Sequence, residues 1–363
     1  MVFIHERGVR FPLGPPNIMQ NLILKTLIIR TDRLGDFYQT IPYINSLART
    51  YGKKNVDILV KKHIYYHIKK KKYLFNKLYF FEENGIFNKV SLILRLRKNN
   101  YKQIIIFDGK DRSIILSKFL NTDKIYLTYP KKKINFFTKM FFSKKYITFF
   151  DNRTISLKYL YKGILDNLGA RIIKKDYKIL LHKNVKQINI FKKENISNKK
   201  YILIHLDEKW FSDFYIKKFT NIVLKKNDFF LFLKKIIKKY KTNLIITTGT
   251  IKLPFITELS NKYFNISKRG YCYLKFGKYK IILLKEISIY NLEIITMNAN
   301  NVITCHGPLS LLAGSFNINL IDIIEKTQEK WYYRHTTHIM KYNKLYRTKF
   351  NKLSEKIILK IKG

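Results

Sequence analysis

The sequence predicts an α/β protein made of two Rossmann-like domains, each a parallel sheet, facing a cleft. Three observations lead there. Short apolar runs alternate with longer segments of helical period, which implies parallel strands covered on both faces. The alternation pauses over residues 130–198 and then restarts. Glycine is scarce, 14 in 363 residues, yet Gly35, Gly109, Gly249 and Gly307 each fall just after an expected strand. The carboxyl ends of parallel strands are where such sheets collect ligands.

The elements follow in order. Leu24–Thr31 is the first buried strand, and Ile41, Ile44, Leu47, Ala48 and Tyr51 recur at helical spacing up to Gly52. Strands follow at Val56–Lys61, Lys77–Glu82, Tyr101–Asp108 and Lys124–Thr128, with helices at Val90–Leu96 and Arg112–Leu120. A helix is expected near 155–168, and the two halves join near 170–198. The second half opens with the strand Lys200–Leu206 and a helix whose Phe229, Leu233, Ile236, Ile237 and Tyr240 face inward. Strands at Asn243–Thr248, Tyr279–Leu284, Asn301–Thr304 and Ile318–Ile324, with helices at Ser288–Met297 and Gly307–Phe316, complete it. The expected organisation is a disordered lead (1–20), a first domain (21–180), a second domain (181–330) and a basic C-terminal segment (331–363). That segment, with Tyr342, Tyr346 and Phe350 at four-residue spacing, is expected to pack back on the first domain.

Composition restricts the function classes. Lys plus Arg number 72 against 24 Asp plus Glu, a net charge of +48. The excess travels with Ile, Asn, Tyr and Phe, all with A/T-rich codons, while Ala occurs only at 48, 170, 299 and 313. Nucleotide bias in the genome, with lysine on solvated faces, accounts for most of it. No nucleic-acid-binding signature accompanies the charge. Lysine interrupts every apolar run before a membrane span is reached. No secretory signal is expected, and two cysteines, Cys272 and Cys305, fit a reducing cytoplasm.

The most specific string is Arg30-Thr31-Asp32-Arg33-Leu34-Gly35-Asp36, between a strand and a helix carrying Thr40 and Pro42. Two further segments are Leu206–Asp213, with Lys209 beside Trp210, and Asn301–Ile324, a strand, a Gly307-Pro308 helix start and a strand. Together they resemble glycosyltransferase family 9, which includes the bacterial heptosyltransferases of lipopolysaccharide core synthesis. The resemblance spans roughly residues 22–325 and implies a GT-B architecture and an inverting, metal-independent transfer. The donor would be a nucleotide-diphospho-sugar; the acceptor, a lipopolysaccharide or other surface glycan at the cytoplasmic membrane face.

In that chemistry Asp36 is the base for the acceptor hydroxyl, within a loop that includes Arg33 and Gly35. Its alternative role is an N-cap carboxylate. Donor contacts fall on Lys209, Gly249, Thr250, Cys305, His306, Gly307, Pro308, Leu309 and Ser310. Pro308 at the first helical position leaves free backbone N–H groups for the diphosphate, and Lys209 or Lys252 adds a full charge. The chain departs from the family pattern here. Glu208 stands where the family has Lys two residues before Trp, Cys305-His306 replace Asp-Thr, and Ser310 replaces His. These departures bear on the identity of the donor more than on transfer. Two rival readings are a basic nucleic-acid-binding protein on a non-catalytic scaffold and another GT-B enzyme such as a nucleotide-sugar epimerase.

Three further features stand apart. His63/His67 and His335/His338 are spaced to meet on a helix face, but neither pair has a third metal ligand nearby in sequence, so no metal is expected. Lys131–Tyr146 alternates Lys with Phe and Met; it reads either as an amphipathic helix packed on the first domain or as a peripheral contact with an anionic membrane.

Overall fold

The computed structural model describes residues 24–69, 75–82, 84–130, 145–151, 156–178, 201–211, 218–267 and 270–363. The expected lead and most of the Lys131–Tyr146 segment lie outside the described residues. The chain divides into two compact units with the boundary after Lys178.

The first unit runs β1 (Thr26–Arg30), α1 (Leu34–Tyr51), β2 (Val56–Lys61), α2 (Lys62–Ile68), β3 (Leu78–Phe81), α3 (Ile86–Arg97), β4 (Gln103–Ile106), α4 (Asp111–Lys118), β5 (Lys124–Pro130), β6 (Tyr146–Asp151) and α5 (Leu157–Asn167). Its six strands are all parallel, in the order β3-β2-β1-β4-β5-β6. The central strands β1, β2 and β4 are buried on both faces, which explains their continuous rather than alternating apolar character. On one face Leu27, Ile29, Ile104, Ile106 and Leu127 pack with Leu92 and Leu96 of α3 and Ile114 of α4. The chain winds one way from β1 through β3 and the other way from β4. The β1/β4 junction is therefore a topological switch point, where the loops after the two strands splay apart and leave a crevice.

The second unit runs β7 (Tyr201–Leu206), α6 (Lys226–Tyr240), β8 (Asn243–Thr248), α7 (Pro254–Tyr263), β9 (Asn265–Ile266), β10 (Cys272–Phe276), β11 (Tyr279–Leu284), α8 (Ile289–Met297), β12 (Asn301–Cys305), α9 (Pro308–Ser315), β13 (Asn319–Ile324), α10 (Glu329–Thr336), β14 (Tyr342–Tyr346) and α11 (Phe350–Lys360). The strand order is β14-β13-β12-β7-β8-β11-β10-β9, so the switch point lies between β7 and β12. The core joins Phe229, Phe232, Leu233 and Ile236 of α6 to Ile204, Ile246 and Ile303 of the sheet. At one edge β10 turns back antiparallel on β11 through a two-residue turn, so this sheet is mixed rather than wholly parallel.

The C-terminal segment corrects an expectation. Tyr342–Tyr346 is not helical but a parallel edge strand beside β13. Leu345, Phe350, Leu353, Ile357 and Ile361 then enter the second unit's core with Ile321 and Phe229. The segment therefore belongs to the second unit, not the first. The physical reason is the edge of β13, whose unpaired backbone groups are satisfied by the strand that follows in sequence.

Candidate functional site

At the first switch point the loop after β1 gathers charge around one guanidinium. Arg30 is 3% exposed. Its Nε lies 3.0 Å from Asp32 Oδ1, an ion contact without hydrogen-bond alignment, and its Nη2 lies 3.9 Å from Asp36 Oδ1. Nη1 donates to the Phe107 carbonyl and, at 3.0 Å, to the Tyr161 hydroxyl. Burial opposes the charge on Arg30. Tyr161 and the carboxylates of Asp32, Asp36 and Asp108 overcome it and hold its pKa above the ordinary arginine value. Burial pushes Asp32 up to about 6 against the pull of Arg30, with Asp36 and Asp108 adding to the rise.

Asp36 stands in the first turn of α1 with a third of its side chain exposed. Asp36 is not the N-cap, which is Arg33, but the third residue of the helix, and one of its oxygens accepts from the Arg33 backbone N–H at 3.4 Å while the carboxylate stays accessible. Arg33 is exposed and Gly35 lies within the turn.

The loop is pinned by Asp108, which the sequence reading missed. Its Oδ2 accepts from the Thr31 N–H, the Thr31 hydroxyl and the Ser113 hydroxyl, all at 2.8 Å, and Oδ1 accepts from the Lys110 N–H at 3.1 Å. One carboxylate thus ties the loops after β1 and β4 together across the switch point. Gly109 beside it is structural: it has φ of 56°, and a Cβ there would lie 2.6 Å from the Thr128 carbonyl oxygen. At the carboxyl ends of β2 and β3, a cavity of about 420 Å³ is lined by Lys61, Lys62, His63, Phe81, Glu82 and Asn88.

At the second switch point the turn after β7 delivers Lys209. The buried Trp210 anchors that turn by donating its indole N–H to the His205 carbonyl at 2.8 Å. Asp207 accepts from the Lys209 N–H at 3.1 Å and from Nζ at 2.5 Å. Burial pulls the lysine pKa down, but Asp207, with help from Glu208, outweighs it and keeps the ammonium charged. The ammonium rests against Gly307, where a Cβ would come within 2.6 Å of Nζ. Gly307 caps α9, whose first residue is Pro308. A fixed cation therefore sits at a helix N-terminus, and both favour an anion. Burial pushes the His205 imidazole down to about 4, and its Nδ1 lies 2.9 Å from Thr247 Oγ1.

His306 is oriented from behind. Its Nδ1 lies 2.6 Å from Asp322 Oδ2, which also accepts from the Tyr342 hydroxyl at 3.0 Å, while Asp322 Oδ1 accepts from Ser310 Oγ at 2.8 Å. A carboxylate can only accept, so Nδ1 carries a proton and Nε2 is the atom left for chemistry. Edge-on contact with Tyr332 fixes the ring plane. Arg347, 5% exposed, donates to the carbonyls of Lys209 and of Thr220 (3.0 Å to the latter), and its Nη1 lies 3.6 Å from Cys305 Sγ. This residue of the C-terminal segment clamps the Lys209 turn to the end of β12.

The structure thus brings Lys209, Cys305, His306, Gly307 and Pro308 together. Leu309 is buried, and Ser310 directs its hydroxyl to Asp322. Cys305 is a packing residue whose thiol is pushed up by burial first and by Asp207 next. Gly249 follows β8 with open space around it, and Thr250 and Lys252 are exposed. His67 Nε2 lies 3.1 Å from the Tyr38 hydroxyl, and His335 packs on Trp331. Among the described residues no group of three or more His, Cys, Asp or Glu is arranged to hold a metal ion. None of their helices is long and apolar enough to cross a membrane. Asp322 and Arg347 had no local signal, since each acts on residues distant in sequence.

This is an α/β protein of GT-B-like architecture with two parallel-sheet domains, and solved structures bear that out. A glycosyltransferase of family 9 from Veillonella parvula matches with a TM-score of 0.68 at 10% identity, over 93% of this chain and 91% of that one. The ADP-heptose lipopolysaccharide heptosyltransferase II of E. coli matches at 0.66 and 11% identity, over 93% and 97%. A UDP-GlcNAc 2-epimerase from Methanocaldococcus jannaschii matches at 0.50 and 11% identity, over 93% and 92%. Family profiles and the sequences of curated proteins give no match.

Proposed function

We propose that the protein is an inverting glycosyltransferase that moves a sugar from a nucleotide-diphospho-sugar to a lipopolysaccharide or other surface-glycan acceptor. The observation that carries the reading is the Lys209 ammonium held against Gly307 at the start of α9. A fixed cation at the positive end of a helix dipole fits a diphosphate leaving group.

The second unit binds the donor. Lys209 and the dipole of α9 neutralise the charge that grows on the departing diphosphate, and His306 offers Nε2 as an acceptor to a sugar hydroxyl. The first unit binds the acceptor, for which the cavity beside Lys61 and Lys62 has room. As the acceptor oxygen attacks the anomeric carbon, the bond to the diphosphate breaks and the diphosphate leaves with the electron pair. The hydroxyl proton becomes acidic during attack and passes to Asp36. Arg30 Nη2 lies 3.9 Å from that carboxylate and places a positive charge beside it. Asp32 orients Arg30 rather than taking the proton, because it is deeper and Arg30 lies against it.

A donor screen by calorimetry tests the reading. Nucleoside diphosphates and their sugars are expected to bind in the micromolar range, and an absence of binding at millimolar concentration refutes it. Turnover of a UDP-sugar without any acceptor would instead identify an epimerase.

A further inference from the structure

Helix α3 has two apolar faces, and only one of them is used. Leu92 and Leu96 are buried against the sheet. Ile86, Phe87, Val90 and Leu94 recur at the spacing of a second face, and they are 76%, 89%, 48% and 54% exposed. On the same sheet face α4 also exposes Ile115, and Phe119 at its C-terminal cap is exposed too. Single exposed apolar residues are ordinary on a protein surface, but a contiguous stripe led by a nearly bare Phe marks a surface that is covered in use.

The charge on the helix selects what covers it. From Ile86 to Lys98 there is no acidic residue, and Arg95, Arg97 and Lys98 stand exposed toward its end, with Lys89 half-buried in its first turn. Two chains each carrying +48 repel one another, which disfavours a second copy of the protein. An apolar stripe flanked by cations is instead the arrangement that lies in the interface of an anionic bilayer, apolar side chains among the acyl groups and basic ones at the phosphates. We infer that α3 is a docking surface for anionic membrane.

Its position gives the docking a use. The most exposed residues, Ile86 and Phe87, open α3 just after the carboxyl end of β3. In a parallel sheet that is the same edge as the carboxyl end of β1, where the loop bearing Asp36 begins. Docking by the first turn of α3 turns this edge toward the bilayer, where a lipid-linked acceptor resides. This last step rests on the acceptor role given above to the first unit; the docking does not.

The test is co-sedimentation of the full chain with vesicles of phosphatidylcholine alone or with 3:1 phosphatidylcholine:phosphatidylglycerol, at about 0.15 M salt so that diffuse attraction is screened. The wild type is expected to bind the anionic vesicles and not the neutral ones. The triple variant Ile86→Ser, Phe87→Ser, Leu94→Ser keeps every charge and removes only exposed groups, so it should fold normally and bind at least 10-fold more weakly. A Phe87→Trp reporter should shift its emission to the blue on the anionic vesicles alone. Equal binding by the triple variant and the wild type overturns the proposal, as does an unshifted reporter. A wild-type dimer that the triple variant converts to monomer overturns it in favour of a second copy. Nucleoside diphosphate affinity, measured on the same samples, tests the transfer reading separately, because the α3 substitutions leave the second unit untouched.

Discussion

Around β1 and β4, four charged side chains come from seven consecutive residues, Arg30 to Asp36, and Asp108 and Arg112 are drawn from farther along the chain to Thr31. Around β7 and β12 the equivalent crevice is assembled from Asp207, Lys209, His306, Ser310, Asp322 and Arg347, spread over 140 positions and five separate elements or turns. The first crevice surrounds its guanidinium with carboxylates and leaves one of them, Asp36, a third exposed. The second surrounds its carboxylates with donors and leaves the Lys209 ammonium at the helix start. The same topological device, a parallel sheet with reversed winding, thus presents an accessible base in one unit and an anion cradle in the other. A site for proton abstraction can be written into a short loop. A site that must hold an extended anion takes donors from several strands.

The comparison breaks most readily at Asp36. Asp36→Asn should lower kcat by about 10²–10⁴-fold while donor affinity stays within a few-fold. Near-normal turnover of that variant, read from single-turnover rates, would remove the first crevice from the chemistry. Next in size is the pH response of the second unit. His205 is buried with a pKa of about 4, against 6.5 for the free side chain. The unfolded chain therefore takes up the proton first on acidification. This contribution to stability is complete above pH 6.5, falls as pH drops toward 4 and levels off below, about 3 kcal/mol in all. Urea unfolding at pH 7 and pH 4.5 should show a smaller acid loss for His205→Gln than for the wild type.

Lys209→Met should weaken nucleoside diphosphate binding about 10–100-fold, as expected for the loss of a charge-assisted contact, and leave the sugar-free fold intact. If calorimetry finds the affinity unchanged, the anion cradle lies elsewhere. The smallest effect sharpens the geometry. Gly307→Ala displaces only the flexible end of Lys209, so affinity should fall a few-fold with little change in Tm. An unchanged affinity would mean that the ammonium does not act from its place against the helix start.

Much of the fold was legible. Strand positions such as Val56–Lys61 and Asn243–Thr248 match the observed β2 and β8 residue for residue, because buried parallel strands are uninterrupted apolar runs between turn residues. The antiparallel β10 and the strand β14 were not, since Cys272–Phe276, beside the two-residue edge strand β9, and the edge strand Tyr342–Tyr346 are both half-exposed with weak apolar signals. At the sites the pattern repeats. Asp36, Lys209 and Gly307 were readable beside strand ends, whereas Asp108, Asp322 and Arg347 were not, because a carboxylate or guanidinium acquires its role only from the loop it meets.

By itself the sequence determined two parallel-sheet halves, the strands that carry the loops, and the residues placed at their carboxyl ends. Periodicity and local turn chemistry are short-range properties, and they suffice for that. Only the tertiary structure decided the strand order, and with it the two switch points; the docking of the C-terminal segment on the second unit; and the exposure of the second apolar face of α3. Each depends on which buried surfaces meet across long stretches of chain, and no local pattern encodes that choice.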